Sequence, residues 1–325
     1  MRTITCAQAM MEAMAEEISR DEKVFFMGED IGKMGGCFGQ HFGLLQQFGP
    51  ERIIDSPICE SGYTNFANGA AMAGMRPVIE IQFADFMGLA FDAFGNQGPK
   101  FRYMTGGMWS VPLTVRAPQG GYIGAACQHS QCAEAWFMNL PGLKIVVPTT
   151  PYDSKGLLKA AIRDNDPVLY LEHKALLQTK GEVPEEEYII PLGQAKVVKE
   201  GADVTIITYQ AMLYQALDAA IELEKQGISV EIIDPRTLIP LDLDTILKSV
   251  KKTGRVVIAH EAPKRGGAGA EIGAAIAEFA YNDLKAPIKR IGALNIPLPF
   301  GAQPESYCLP NKSHIIEAAK ELMNK

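Results

Sequence analysis

The stretch Asp55–Gly74, reading DSPICESGYTNFANGAAMAG, is the one around which the chain is organised. Two β-branched residues, Ile53 and Ile54, precede it and break at Ser56-Pro57. Glu60 then stands at the mouth of a segment built from Gly62, Ala67, Gly69, Ala70, Ala71, Ala73 and Gly74. Small residues on successive turns predict a helix packed close to its neighbours and deeply buried. Its N-terminal edge offers unpaired backbone N–H groups and the positive end of the dipole, which favour an ionised carboxylate. An apolar wall favours the protonated form instead. A carboxyl held between these influences can trade a proton with a bound ligand. The competing reading is that Glu60 only caps the helix.

Working outward, Val24–Met27 reads as a short strand ending in Gly28-Glu29-Asp30, so two acids fall at its carboxyl end. In open α/β sheets that edge is where ligands bind. Upstream, Thr5 and Gln8 have capping-box spacing, and Ala7, Met10, Met14 and Ile18 follow on one helical face. Gly32–Gly49 is a glycine-rich loop leading into a short helix. Downstream, Val78–Gln82 is a strand, helical spacing runs through Phe86, Leu89, Ala90 and Phe94, and Val111–Arg116 is a further strand. A loop from Gly120-Gly121 carries Gln128-His129-Ser130-Gln131. A helix from Glu134, strands at Leu143–Val147 and Val168–Leu171, and a helix over Asp153–Arg163 complete the first half. This alternation predicts an α/β fold with parallel sheets covered on both faces.

The division expected is a first domain over 1–180, a linker over 181–201 and a second domain over 202–325. The linker is marked by the polar, aperiodic Gly181-Glu182-Val183-Pro184-Glu185-Glu186-Glu187. Beyond it Asp203–Thr208, Ser229–Ile233, Arg255–His260 and Ile288–Ile291 read as strands. Leu213–Gln226, Leu243–Lys251, Ala270–Phe279 and His314–Met323 read as helices.

The 325 residues are 47% hydrophobic and 21% charged, with a formal net charge of −7. That is ordinary for a globular protein long enough for two cores. The acidic balance and lack of a basic block argue against nucleic acid. The most apolar region, Ile79–Phe94, is interrupted by Glu80, Asp85 and Asp92, so no membrane span is expected. Six scattered cysteines without a paired spacing read as free thiols, and no export signal is seen, so the expected compartment is cytoplasmic.

Several chemistries can be set aside. Gly267-Ala268-Gly269 with Gly273 lies between a strand and a helix, but Glu261–Gly266 separates it from the strand's end, where a dinucleotide fingerprint begins. Gly28 to Gly32-Lys33 is one residue short of a phosphate loop, and Met34 replaces the required hydroxyl. The five histidines have no metal-ligand spacing. There is no Gly-x-Ser-x-Gly elbow. His129, on a loop between strand and helix, can serve as a donor or proton carrier, or can be a structural histidine. Gln82 and Phe86 lie at a strand end and the turn after it. An aromatic there can stack on a flat heterocycle, or belong to the core.

DSPICESGYTNFANGAAMAGMRP, EIQFADF, QHSQ, PGLKIVVPTTPYDSKGLLKAAIRDNDPV and DPRTLIPLD occur in that order. Across essentially the whole chain they resemble the beta subunit of thiamine-diphosphate-dependent 2-oxo acid and acetoin dehydrogenases. The resemblance implies an aminopyrimidine-binding domain followed by a transketolase-type C-terminal domain. Glu60 matches the glutamate that hydrogen-bonds the aminopyrimidine ring and shares its proton there. Phe86 matches the residue stacked on that ring, and Gln82 a neighbouring wall position. His129 matches the histidine that faces substrate and the incoming lipoyl group, and Glu29 an acid in a water-filled channel. A potassium ion is implied on main-chain carbonyls of Leu113, Ala161, Asp164 and Asp166. The family's diphosphate and Mg2+ sit on the alpha subunit through a Gly-Asp-Gly motif, and this chain has no Gly-Asp-Gly. The chain is therefore expected to work in an α2β2 heterotetramer, with thiamine diphosphate shared between subunits and a lipoyl acyltransferase component as partner.

Asn96–Met104 and Gly181–Glu186 look closer to acetoin dehydrogenase beta subunits. The expected reaction is thus acetoin cleavage to acetaldehyde with acetyl transfer to lipoamide. The alternative is oxidative decarboxylation of pyruvate or a branched-chain 2-oxo acid. A catalytically silent assembly subunit is the non-enzyme alternative. A one-chain thiamine enzyme is disfavoured by the missing magnesium motif.

Overall fold

The computed structural model describes residues 1–324, which cluster into two compact units. The first comprises Met1–Gln119 and Trp136–Leu192; the second comprises Gly120–Ala135 and the chain from Gly193 onward. In the first unit β1 (Arg2–Thr5) leads into α1 (Cys6–Arg20), β2 (Val24–Gly28), α2 (Leu44–Phe48), β3 (Ile53–Asp55), α3 (Glu60–Met72) and β4 (Arg76–Glu80). A 3-10 turn over Ala84–Ala90 and a π turn over Asp92–Gln97 follow, then α4 (Gly98–Met104) and β5 (Thr114–Gln119). The chain re-enters this unit within α5 (Glu134–Phe137), and β6 (Lys144–Val146), α6 (Pro151–Arg163), β7 (Val168–His173) and β8 (Lys180–Val183) follow.

Strands β6-β7-β5-β4-β2-β3 lie side by side, and each adjoining pair is parallel. The expected capping box opens α1: the Thr5 side chain accepts the Gln8 N–H, and the Gln8 side chain accepts the Thr5 N–H. A second box, Thr150 with Asp153, opens α6. These two helices cover one face of the sheet, burying Met10, Met14, Ile18, Leu157 and Ile162 against Phe26 and Tyr170. Each such side chain contributes about 1.5–3 kcal/mol by leaving water. Between them the buried Lys159 pairs with Glu16 at 2.7 Å, and Arg163 pairs with the buried Glu17 at 2.7 Å.

Several elements differ from the sequence expectations, each for a local reason. The strand expected at Val78–Gln82 runs over Arg76–Glu80, because the Arg76 N–H already bonds the Lys23 carbonyl at 2.8 Å. The strand expected from Val111 starts at Thr114, since Pro112 has no N–H to give a ladder. The helical spacing of Phe86–Phe94 folds into 3-10 and π turns rather than one α-helix. The polar 181–201 stretch, expected as a linker, holds two strands. One is the end of β8, whose Lys180–Val183 pairs antiparallel with Arg2–Thr5; its alternating polarity is that of a strand exposed on one face.

The second unit opens with the other strand of that stretch, β9 (Lys196–Lys199), followed by β10 (Val204–Thr208), α7 (Ala211–Glu224), β11 (Val230–Asp234) and β12 (Thr237–Ile239). It continues with α8 (Leu243–Thr253), β13 (Val256–Pro263), α9 (Ala268–Ala280), β14 (Lys289–Ala293), α10 (Ala302–Cys308) and α11 (Lys312–Met323). Its sheet runs β14-β13-β10-β11-β9, parallel except where β9 lies antiparallel on β11. No helix among the described residues is long and apolar enough to cross a membrane.

Candidate active site

Glu60 is the first residue of α3 and is buried. Cys59 is the N-cap and makes no side-chain capping bond. The buried stripe of the helix is Glu60, Tyr63, Thr64, Ala67, Asn68 and Ala71, at the spacing of one face. The deep burial expected of this helix holds for that face alone: Gly62, Phe66, Gly69 and Ala73 form an exposed stripe opposite.

At the carboxyl end of β2, Glu29 is buried beside this helix start. Burial, then the charges of Glu60 and Asp30, push its carboxyl up to about 6. The Tyr63 hydroxyl offsets part of that rise, yet neither Glu29 Oε1 nor the hydroxyl makes a hydrogen bond of good geometry within the chain. Asp30 has φ of 56°, a left-handed turn that carries the chain into the Gly32–Gly49 loop. There the Gly32 and Lys33 N–H groups bond the Asp55 carboxylate at 2.6 and 3.2 Å.

Gln82 and Phe86 are half-buried, beyond β4 and in the 3-10 turn. Phe86 packs edge-on against Phe83 at 5.9 Å, which packs on Phe38 at 5.8 Å and lies under the Lys174 ammonium at 5.5 Å.

A fully buried polar cluster lies in the same unit, and sequence reading did not single it out. Arg116 on β5 holds Glu172 through Nη2 at 2.6 Å and Nε at 3.2 Å. Its Nη1 lies 3.1 Å from Glu80 Oε2 and 2.9 Å from His41 Nε2, and His41 is 2.8 Å from Glu80. Gln40 donates to Glu172 at 3.0 Å. Burial raises both carboxyls, but His41 and Arg116 outweigh it at Glu80, which is held below its ordinary value. At Glu172 burial and the like charge of Glu80 win over Arg116, and the carboxyl rises to about 7. Two carboxylates thus share one guanidinium, and one of them stays close to protonation at neutral pH. The signal in the sequence was a charged residue inside each of three apolar strands: Glu80, Arg116 and Glu172.

His129 is half-buried on the Gly120–Ala135 segment, which belongs to the second unit. Its N–H bonds the Ala126 carbonyl at 3.3 Å. The structure thus sets Glu29 beside Glu60, carries Gln82 and Phe86 in the same first unit, and puts His129 in the second.

Residues 2–180 match the transketolase pyrimidine-binding domain and residues 193–315 the transketolase C-terminal domain. The chain is 47% identical over 324 residues to the 2-oxoisovalerate dehydrogenase subunit beta of Bacillus subtilis (strain 168), and 45% identical over 324 residues to the pyruvate dehydrogenase E1 component subunit beta of the same organism. Both alignments cover 99% of each partner. This chain belongs to the family of 2-oxo acid dehydrogenase beta subunits. Among solved structures, a split-gene transketolase described as an inactive beta4 tetramer superposes with a TM-score of 0.78 at 25% identity, covering 99% of this chain and 98% of that one.

Dehydrogenases of this family depend on thiamine diphosphate, and the first unit fits an aminopyrimidine. A buried carboxylate at a helix start, a neighbouring acid drawn toward neutrality and the buried Tyr63 hydroxyl beside it offer the donors and acceptors that such a ring needs. The potassium site expected for a beta subunit fits less well. The Leu113 carbonyl takes the Val168 N–H at 2.9 Å, the Ala161 carbonyl takes the Asp164 N–H at 3.2 Å, and the Asp164 carbonyl takes Arg76 Nη1 at 2.9 Å. A guanidinium on a carbonyl opposes a cation on the same oxygen. Among the described residues no group of three or more His, Cys, Asp or Glu could hold a metal ion.

Proposed function

We propose that this chain is the beta half of a first component that decarboxylates a 2-oxo acid, pyruvate or a branched-chain one, and passes the acyl group to a lipoyl carrier. The observation that carries this reading is the buried Glu60 at the start of α3 beside Glu29, in a chain nearly equally identical to a pyruvate and a 2-oxoisovalerate subunit. In it Glu60 holds and returns a proton at the aminopyrimidine ring nitrogen, Glu29 supplies a second protonatable carboxyl nearby, and Phe86 and Gln82 wall the ring. His129 donates to the substrate or the lipoyl group. The bound cofactor supplies the carbanion chemistry.

The partner is an alpha subunit in an α2β2 particle, which brings the diphosphate and magnesium site, and the setting is the cytoplasm. The exposed stripe Gly62, Phe66, Gly69 and Ala73 supports a partner on α3. The described inactivity of the split-gene transketolase beta tetramer supports an isolated chain that is inert. Acetoin is a second reading, carried by Asn96–Met104 and Gly181–Glu186. The two relatives named for 2-oxo acids favour the first.

Reconstitution with an alpha subunit and thiamine diphosphate, followed by reduction of an artificial acceptor on a panel of pyruvate, 2-oxoisovalerate and acetoin, decides the matter. Preference for a 2-oxo acid is expected. Preference for acetoin would restore the second reading, and an assembled particle inert on all three would defeat both.

A further inference from the structure

The segment bearing His129 is stitched into the second unit residue by residue. Glu305, buried on α10, accepts the Gly124 N–H through Oε2 at 2.9 Å. Gly301, the N-cap of α10, donates its N–H to the Gly124 carbonyl at 3.1 Å, and Ala125 bridges Phe300 antiparallel. Tyr122 donates its hydroxyl to the Pro310 carbonyl at 2.7 Å. The buried Glu261, on β13, accepts the Gly121 N–H. At the far end the Tyr209 hydroxyl donates to Glu134 Oε1 at 2.7 Å.

The fit leaves little room for side chains. A Cβ on Gly121 would stand 3.0 Å from Glu305 Oε1, and one on Gly124 would stand 3.0 Å from the Ala302 nitrogen. Tyr122, Gly124 and Ala126 have φ of 62°, 70° and 67°. For Tyr122 and Ala126 that left-handed backbone is unfavourable and persists because surrounding contacts over-determine it. His129 hangs three residues beyond this strained, clamped run.

We propose that Glu305 and Glu261 are positioning residues for His129: their carboxylates fix the Gly121–Ala126 backbone and so set where the imidazole is presented. This rests on His129 serving acyl transfer as argued above. A carboxylate accepting a backbone N–H is a charge-assisted bond, stiffer than a neutral one, so it suits a loop that must not drift.

The test uses the reconstituted holoenzyme and reads acyl transfer to a lipoyl domain. Glu305→Ala should lower kcat about tenfold or more with little change in KM for the 2-oxo acid. Glu305→Gln, which keeps an acceptor oxygen, should recover most of the loss. On a His129→Ala background the same Glu305→Ala change should cost almost nothing more. If Glu305→Ala fails to assemble, Tyr122→Phe takes its place with the same His129-dependent loss expected. Unchanged kcat in the variant, or an equal loss with and without His129, would overturn the inference. If His129→Ala alone leaves acyl transfer intact, the reading of His129 falls instead.

Discussion

Glu29 and Arg116 are the two residues whose environments carry the sharpest consequences. Because burial lifts the Glu29 carboxyl from 4.5 to about 6, the folded chain binds more protons than the unfolded chain between those values. The associated stability is complete below about 4.5 and is lost as pH rises through 6. The difference in urea-unfolding free energy between Glu29→Gln and the wild type should therefore shift in favour of the variant over that window, then level off. A difference independent of pH would contradict the raised value. Arg116→Ala leaves two buried carboxylates without their cation and should cost about 3–5 kcal/mol by the same measurement. Glu29 and Glu60 were legible because each falls next to the end of an element, where a charged group in an apolar run needs a reason. The Arg116 cluster was not, because nothing local pairs Arg116 with Glu80 until the parallel register sets them opposite each other. Its further partner Glu172 lies on the strand on the other side of β5.

At the scale of elements, the cap named from the sequence was legible because it is local: Thr5 with Gln8 closes its own first turn. Thr150→Ala, which removes the corresponding box from α6, should cost about 1 kcal/mol in thermal or urea unfolding. Strand limits were read less well, since Pro112 and the Arg76 N–H act through neighbouring strands that a linear pattern does not display. The small residues of α3 were noticed, but their placement on a face exposed in the single chain was not. A Cβ on Gly69 meets nothing within 4 Å, so Gly69→Arg should leave the chain folded. It should weaken association with the alpha subunit by at least about tenfold, roughly 1.4 kcal/mol, measured by sedimentation or calorimetry. Unaltered association would mean that this stripe does not face the partner.

For the whole molecule, alternation of strand and helix made the two sheets legible, whereas β9 was missed because Lys196–Lys199 lies in a polar stretch. The grouping of Gly120–Ala135 with the second unit was also invisible, because it depends on Glu261, Glu305 and Tyr209 reaching across long sequence separations. The account as a whole turns on Glu60 exchanging a proton with the bound cofactor. The most direct measurement is the deuterium exchange rate of the cofactor's thiazolium C2 hydrogen in the assembled α2β2 particle, wild type against Glu60→Gln. The rate should fall on the order of a hundredfold or more in a variant that still assembles and binds thiamine diphosphate; an exchange rate equal to that of the wild type would contradict the account.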